Sequence, residues 1–90
     1  MSNQYWLDLP DEVKEQIDEA SNIVRPRLKK TIANLRNDPR PANAKPLRNM
    51  IDHYRIRIEE YRIYYWVEDE QVTIHLLRVG KKHGPEFYED

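Results

Sequence analysis

Three arginines in the middle of the chain have the type and spacing needed to bind an anion. Arg55, Arg57 and Arg62 lie in two short runs, residues 53–58 and 61–67, in which polar and apolar residues alternate. Successive residues of a strand point to opposite faces, so Arg55 and Arg57 would share one face of the first strand. A tight hairpin between the two runs would place Arg57 directly opposite Arg62.

The same hairpin would pair Ile58 with Tyr61 and Arg55 with Tyr64. Like charges directly opposite each other in a sheet are unfavourable, whereas opposite charges contribute about 0.2 to 1 kcal/mol. A pair of arginines on one face therefore does not stabilise the sheet. A bound anion would relieve the repulsion between the two side chains. Because guanidinium groups present their donors in a planar fork, we expect a phosphate on this face.

Length and composition limit the classes of function. Ninety residues predict one domain, residues 1–90, with a modest core. The chain has no cysteine, which excludes disulfides and thiolate metal ligands, and its three histidines lack a partner at metal-binding spacing. We therefore expect no metal site. No apolar run approaches the roughly 18 residues of a membrane span, so we expect a cytoplasmic protein.

The near-neutral net charge conceals a basic block. The chain carries a net charge of -1, yet residues 25–57 contain ten basic and two acidic residues, a charge of +8. Such a block can attract a polyanion locally, because screening limits the interaction to about 8 Å at physiological salt. The alternative for residues 25–40 is an ordinary solvated helix face.

The elements that must hold the arginines follow from periodicity and turn residues. Residues 5–9 are a strand candidate, Pro10 precedes a helix, and Pro26 marks either a kink or the first turn of a second helix. The proline-rich residues 37–43 predict a loop. Further strands are predicted near residues 45–50, 53–58, 61–67 and 72–79.

The predicted fold is an α+β domain, with two N-terminal helices packed on a curved, mainly antiparallel sheet of four to five strands. We expect Val67 to pair with Val72, and Tyr65 with Ile74. The apolar face would cover the helices. The opposite face would carry the arginines together with Tyr64, Trp66, Thr73, His75 and Leu77.

Four motifs carry a family resemblance: Tyr54-Arg-Ile-Arg-Ile58, Tyr61-Arg-Ile-Tyr-Tyr65, Leu77-Arg-Val-Gly-Lys-Lys82 and Phe87-Tyr88. In this order and spacing they resemble the RelE branch of the RelE/ParE family, the toxins of type II toxin–antitoxin pairs. The resemblance covers nearly the whole chain and implies a small RelE-like domain whose concave sheet face is the active site.

What the resemblance implies for function is a ribosome-dependent mRNA endoribonuclease. Such toxins enter the ribosomal A site and cleave by attack of the ribose 2′-hydroxyl on the adjacent phosphate, without a metal or small-molecule cofactor. The implied partners are the ribosome, mRNA and a cognate antitoxin, RelB-like or of another family, with no membrane involved. Two alternatives stay open: a ParE-like inhibitor of DNA gyrase, and a non-catalytic family member that only binds its antitoxin.

Residue by residue, the resemblance places the transition-state arginine at Arg62, the two strand cations at Arg55 and Arg57, a late basic residue at Lys82 and the tail tyrosine at Tyr88. The predicted catalytic residues are therefore Arg62, Lys82, Tyr88 and Arg57. Arg57 stands where family members often have a lysine, and a guanidinium does not readily give up its proton.

The general base is therefore not assigned by the resemblance. The candidates are Tyr88, His75, His83 and a water molecule.

RNA or ribosome binding is predicted for a second group. Basic side chains would contact phosphates, and the rings of Tyr64 and Trp66 would either stack on bases or simply pack on the sheet. The group consists of Arg55, Lys81, Tyr64, Arg48 and Lys45.

Overall fold

Two short helices cover one face of a five-stranded sheet in the computed structural model, which describes residues 4–81. The elements are β1 (Trp6–Asp8), α1 (Asp11–Asp18), α2 (Arg25–Asn34), β2 (Lys45–Pro46), β3 (His53–Ile58), β4 (Tyr61–Glu68) and β5 (Thr73–Lys81), with a 3-10 turn at Asp69–Gln71. The strand order is β1-β5-β4-β3-β2. β1 runs parallel to β5, and the other pairs are antiparallel. The predicted α+β architecture is confirmed. Within residues 4–81, no helix is long and apolar enough to cross a membrane.

Proline and acidic residues determine where the helices begin. Pro10 is the N-cap of α1, and two acidic residues follow in the first turn, where they complement the helix dipole. Pro26 lies in the first turn of α2, a position that needs no backbone N–H donor. The prediction of a second helix is therefore confirmed, and the alternative of a kink within one helix is wrong.

The core lies between the helices and the sheet. Alternate residues of β3, β4 and β5 point towards α1 and α2, as their period of two predicts. Tyr65 is fully buried and donates a hydrogen bond of 2.8 Å from its hydroxyl to the carbonyl oxygen of Pro39 in the loop. The other sheet residues of this core are Ile56, Ile58, Ile63, Val67, Ile74, Leu76 and Val79.

An ionic network fixes one end of the sheet to the loop before it. Arg40 donates hydrogen bonds to Asp69 (2.9 Å), Asp52 (3.0 Å) and the hydroxyl of Tyr54 (2.7 Å). The hydroxyl of Tyr5 also donates to Asp69, at 2.8 Å. The hydrogen bonds from Arg40 and Tyr5 hold the pKa of the Asp69 carboxyl below its usual value.

The predicted register of the central hairpin is confirmed. Arg57 pairs with Arg62, Arg55 with Tyr64 and Ile58 with Tyr61.

The register predicted for the next hairpin is wrong by two residues. Val67 pairs with Ile74 rather than Val72, and Tyr65 pairs with Leu76. Residues 69–71 form a 3-10 turn, and Val72 adopts a left-handed conformation with φ 49°, so this residue belongs to the connection. A shift of two residues leaves each side chain on its predicted face.

A β-bulge then changes the alternation of β5. Tyr65 pairs with Leu76, whereas the preceding residue, Tyr64, pairs with Arg78, so that Leu77 is the extra residue. Beyond the bulge, the faces of β5 are exchanged relative to a regular strand.

The strand predicted near residues 45–50 is shorter than expected, because only Lys45–Pro46 pairs with β3. The residues that follow form a turn that contains Asn49 (φ 63°) and Asp52 (φ 61°). Both residue types tolerate the left-handed region better than most. A hydrogen bond of 2.9 Å closes the turn, from the N–H of Leu47 to the carbonyl oxygen of His53.

Candidate functional site

Arginines lie in two neighbouring rows on the sheet face opposite the helices. The first row runs across β3, β4 and β5 and consists of Arg57, Arg62 and Gly80. Because directly paired residues share a face, both arginines point away from the core. Gly80 has no side chain, which leaves room for a ligand beside Arg62.

The second row lies two residues along each strand, about 7 Å from the first. It consists of Lys45 on β2, Arg55 on β3, Tyr64 on β4 and Arg78 on β5. We call the surface formed by Arg55, Arg57, Arg62 and Arg78 the arginine face.

The first row of the arginine face is accessible to an anion. Arg57 is exposed and Arg62 is half-buried. One guanidinium nitrogen of Arg62 lies 3.5 Å from the carbonyl oxygen of Glu60. The structure thus places two cationic side chains side by side at the hairpin end, as the sequence predicted, where an anion can reach them.

Two predicted RNA-binding residues of the second row are buried. Tyr64 is 1 % exposed, since its ring packs with Leu47 and against Met50 and Leu77. The prediction that Tyr64 stacks on a base is wrong for this structure, because the ring has no open face. Arg55 is 7 % exposed, so it contributes charge to the face more than an open contact surface.

Lys81 lies on the other side of the sheet. It pairs with Tyr61, and its ammonium nitrogen lies 5.8 Å from the centroid of that ring, which packs against the main core. Lys81 lies away from the arginines because the bulge in β5 exchanges the two faces, and its role in RNA or ribosome binding stays a prediction. Lys45, by contrast, is exposed directly opposite Arg55, and Arg48 is exposed in the turn after β2.

A third row, beyond the second, holds three stacked rings. The ring of Trp66 is stacked between His53, at 5.9 Å between centroids, and His75, at 4.6 Å. Both faces of the indole are therefore covered by neighbouring rings. Of the two alternatives for Trp66, packing on the sheet is the one that this structure shows.

His75 bridges two carboxylates. Its Nδ1 lies 2.8 Å from Asp8 on β1, and its Nε2 lies 2.8 Å from Glu68 on β4. Partial burial lowers the pKa of His75, but the hydrogen bonds and charges of Asp8 and Glu68 outweigh that effect, and the pKa is raised overall. A protonated imidazole that donates from both nitrogens is a poor general base.

The remaining candidates lie outside the described residues. Lys82 and Tyr88, both predicted to be catalytic, and His83, a candidate base, follow residue 81. Among residues 4–81, no group of three or more His, Cys, Asp or Glu side chains is arranged to hold a metal ion.

Comparison with known families identifies the family of the chain. The sequence profile described as "ParE toxin of type II toxin-antitoxin system, parDE" matches residues 3–84. The chain belongs to the RelE/ParE toxin family. The matched range includes both rows of the arginine face.

Relatives within the RelE/ParE family are similar over nearly their whole length. The mRNA interferase toxin RelE of Escherichia coli (strain K12) is 33 % identical over 88 residues, which cover 96 % of this chain and 92 % of RelE. The crystal structure of the isolated E. coli RelE toxin has a TM-score of 0.76 and covers 91 % of this chain and 88 % of that one. In the intact E. coli RelBE toxin–antitoxin complex, the match has a TM-score of 0.75 at 34 % identity, covering 88 % of this chain and 98 % of that one. The chain is thus homologous to RelE mRNA interferase toxins, and the RelE-like fold is confirmed.

Sequence reasoning gave no role to Arg78. A regular strand after Leu76 would point Arg78 towards the helices, and only the bulge at Leu77 turns it onto the arginine face of this RelE/ParE member. A run of alternating residues carries no sign of a single extra residue, so the pairing of Arg78 with Tyr64 required the structure.

Proposed function

We propose that this protein is the toxin of a type II toxin–antitoxin pair and cleaves mRNA in the ribosomal A site. The observation that carries the proposal is the direct pairing of Arg57 with Arg62 on an accessible face, next to Gly80. The similarity to E. coli RelE, whose name is mRNA interferase toxin, supports the substrate class.

In the proposed reaction, the ribose 2′-oxygen forms a bond to the adjacent phosphorus, and the bond from phosphorus to the 5′-oxygen breaks. The products are a cyclic 2′,3′-phosphate and a 5′-hydroxyl end. Negative charge accumulates on the phosphoryl oxygens in the transition state, and we propose that the guanidinium groups of Arg62 and Arg57 stabilise it. Cationic donors therefore perform the role that a metal ion has in other nucleases.

Proton transfer needs groups beyond the two arginines. A guanidinium donates hydrogen bonds but accepts no proton, so a base must take the proton of the 2′-hydroxyl. We propose Lys82 as the proton donor to the 5′-oxygen, a role that an ammonium fills best where neighbouring cations make it a readier acid. Tyr88, His83 and water are the candidates for the base.

The ribosome would supply alignment of the substrate. In-line attack requires the 2′-oxygen, the phosphorus and the 5′-oxygen to be held close to one geometry, and such positioning can account for several kcal/mol of a barrier. Two accessible arginines do not by themselves hold a flexible RNA in that geometry. We therefore propose that cleavage depends on mRNA presented by the ribosome, and that the protein acts in the cytoplasm.

The cognate antitoxin is the proposed regulatory partner. Solved relatives include RelE toxins bound to RelB, at 34 % identity to this chain. We propose that an acidic or amphipathic segment of the antitoxin covers the basic face and keeps RNA away from it.

The test is cleavage of mRNA on programmed 70S ribosomes by the purified protein, with mapping of the new 3′ ends. We expect cleavage only with ribosomes, and a loss of about 10² to 10³ in rate for Arg62→Ala. Lys30→Ala is the matched control, because Lys30 is an exposed cation on α2, across the sheet from the arginines. Full activity of Arg62→Ala would remove Arg62 from the mechanism.

A second candidate function is inhibition of DNA gyrase, which the match to the ParE profile over residues 3–84 favours. It predicts growth arrest with DNA damage while translation initially continues. Cleavage of ribosome-bound mRNA by the purified protein would reject this alternative. Binding of an antitoxin without any toxicity would instead indicate a non-catalytic member.

A further inference from the structure

The β-bulge in β5 decides which cation lies beside Arg62. If the pairing of Tyr65 with Leu76 continued without interruption, Arg78 would lie opposite Ile63 and point into the core. The extra residue, Leu77, instead brings Arg78 opposite Tyr64, on the arginine face. Bulges are frequent next to active sites because they re-aim a side chain in this way.

The bulge also places a gap next to the new cation. Gly80 pairs with Arg62, and Arg78 lies two residues earlier on the same strand. Diagonal neighbours of this kind are about 7 to 8 Å apart. The space above Gly80 is therefore bordered by Arg62 on one side and Arg78 on the other.

The number of charges exceeds what one phosphate requires. The arginine face contains four guanidinium groups. Lys45, which lies in the second row, brings the total of both rows to five cations. One RNA phosphate carries a single negative charge, so the cations of this face are more numerous than one phosphate needs. The two rows lie about 7 Å apart, which leaves room for more than one phosphate of the same strand.

We propose that Arg78 binds the RNA phosphate that neighbours the scissile one, and that Gly80 leaves the space through which the RNA backbone passes. The scissile phosphate lies between Arg57 and Arg62, and the next phosphate lies over Gly80, between Arg62 and Arg78. Arg78 is thus a positioning residue, because it holds the strand in register without contacting the reacting atoms. This inference rests on the function proposed above.

The test is a double-substitution cycle. The charge of Arg78 and the charge of one RNA phosphate are removed separately and then together. mRNA on programmed 70S ribosomes carries an uncharged methylphosphonate at the linkage on one side of the cleavage site, then on the other. A 2′-O-methyl group on the preceding nucleotide prevents self-cleavage, and the reference RNA has the same 2′-O-methyl group with an ordinary phosphate. Cleavage by the wild type, Arg78→Gln and Arg78→Lys is compared, with Lys30→Ala as the control cation and thermal unfolding as the check on folding.

We expect Arg78→Gln to lower kcat/KM by about 10-fold or more on the reference RNA, with Arg78→Lys closer to the wild type. At one of the two linkages, the methylphosphonate should lower wild-type cleavage to a similar extent and should lower cleavage by Arg78→Gln no further. Lys30→Ala should respond to the methylphosphonate as the wild type does.

Losses that multiply at both linkages would overturn the assignment of Arg78, and so would wild-type activity of Arg78→Gln. If both Arg78 variants failed to fold, the role of the residue would be structural and the proposal would be wrong. Failure of the wild type to cleave any ribosome-bound mRNA would instead reject the proposed function itself.

Discussion

The pairing of Arg57 with Arg62 should cost the folded protein stability, and the size of the cost follows from its geometry. Directly opposite residues have Cβ atoms about 4.5 to 5.5 Å apart, and the long side chains can spread to a charge separation of about 7 Å. At that distance two unit charges repel by about 0.6 kcal/mol in water and about four times as much at an effective dielectric constant near 20. Because Arg57 is exposed and Arg62 is half-buried, we expect about 0.5 to 1 kcal/mol at low salt.

A double-mutant cycle measures this term in isolation. The free energies of urea unfolding of the wild type, Arg57→Gln, Arg62→Gln and the double variant give a coupling energy from which the other contacts of each residue cancel. The coupling should be unfavourable by about 0.5 to 1 kcal/mol at about 0.01 M salt and less than half of that near 0.15 M, where the screening length falls to about 8 Å. A gain of this size in Arg57→Gln corresponds to a melting temperature about 2 to 8 °C higher.

The control cycle combines Arg57→Gln with Lys30→Gln, since these cations lie on opposite sides of the molecule, and it should show no coupling. A coupling between Arg57 and Arg62 that is zero or favourable at low salt would refute the reasoning. So would one that does not change with salt. In either case, repulsion would no longer explain why this face should attract a phosphate.

Four further predictions concern residues that support the site. Glu68→Gln should lower the pKa of His75 towards its ordinary value near 6.5, as an NMR titration of the imidazole would show. In the wild type, the stability that protonated His75 contributes should be complete below pH 6.5 and lost as pH rises through its raised folded-state pKa; unfolding curves with the same pH dependence in a His75→Phe variant would contradict this. Arg40→Ala should cost about 1 kcal/mol at neutral pH, and less in acid as Asp69 becomes protonated, measured by urea unfolding. Tyr65→Phe should cost about 1 kcal/mol through its lost hydroxyl hydrogen bond, and an unchanged midpoint would show that water replaces that bond.

The central hairpin could be predicted because its information is local. Two alternating runs separated by two residues predict a two-residue turn, and that turn selects the register in which Ile56 pairs with Ile63 and Arg57 with Arg62. The start of the second helix near Pro26 was also indicated by local sequence. Proline is tolerated in the first turn of a helix but disrupts its interior.

The part of the site formed by β5 could not be predicted, because it depends on features that leave no local pattern in the sequence. The left-handed residue Val72 and the extra residue Leu77 both change the relation between β4 and β5. One shifts the register by two residues, and the other exchanges Lys81 for Arg78 on the arginine face. The burial of Tyr64 comes from the turn after β2 packing over the sheet, which periodicity within a strand cannot show.

The position of β5 has a consequence for the order in which the protein becomes active. β5 is the last strand within the described residues 4–81, yet it lies inside the sheet, between β1 and β4. During synthesis, the N-terminal strand β1 has no partner until residues 73–75 have emerged, and pairing over so large a sequence separation is slow. Arg78 and Gly80 reach the arginine face only with this final strand. A nascent chain therefore has an incomplete arginine face until β5 has been synthesised and has paired with β4.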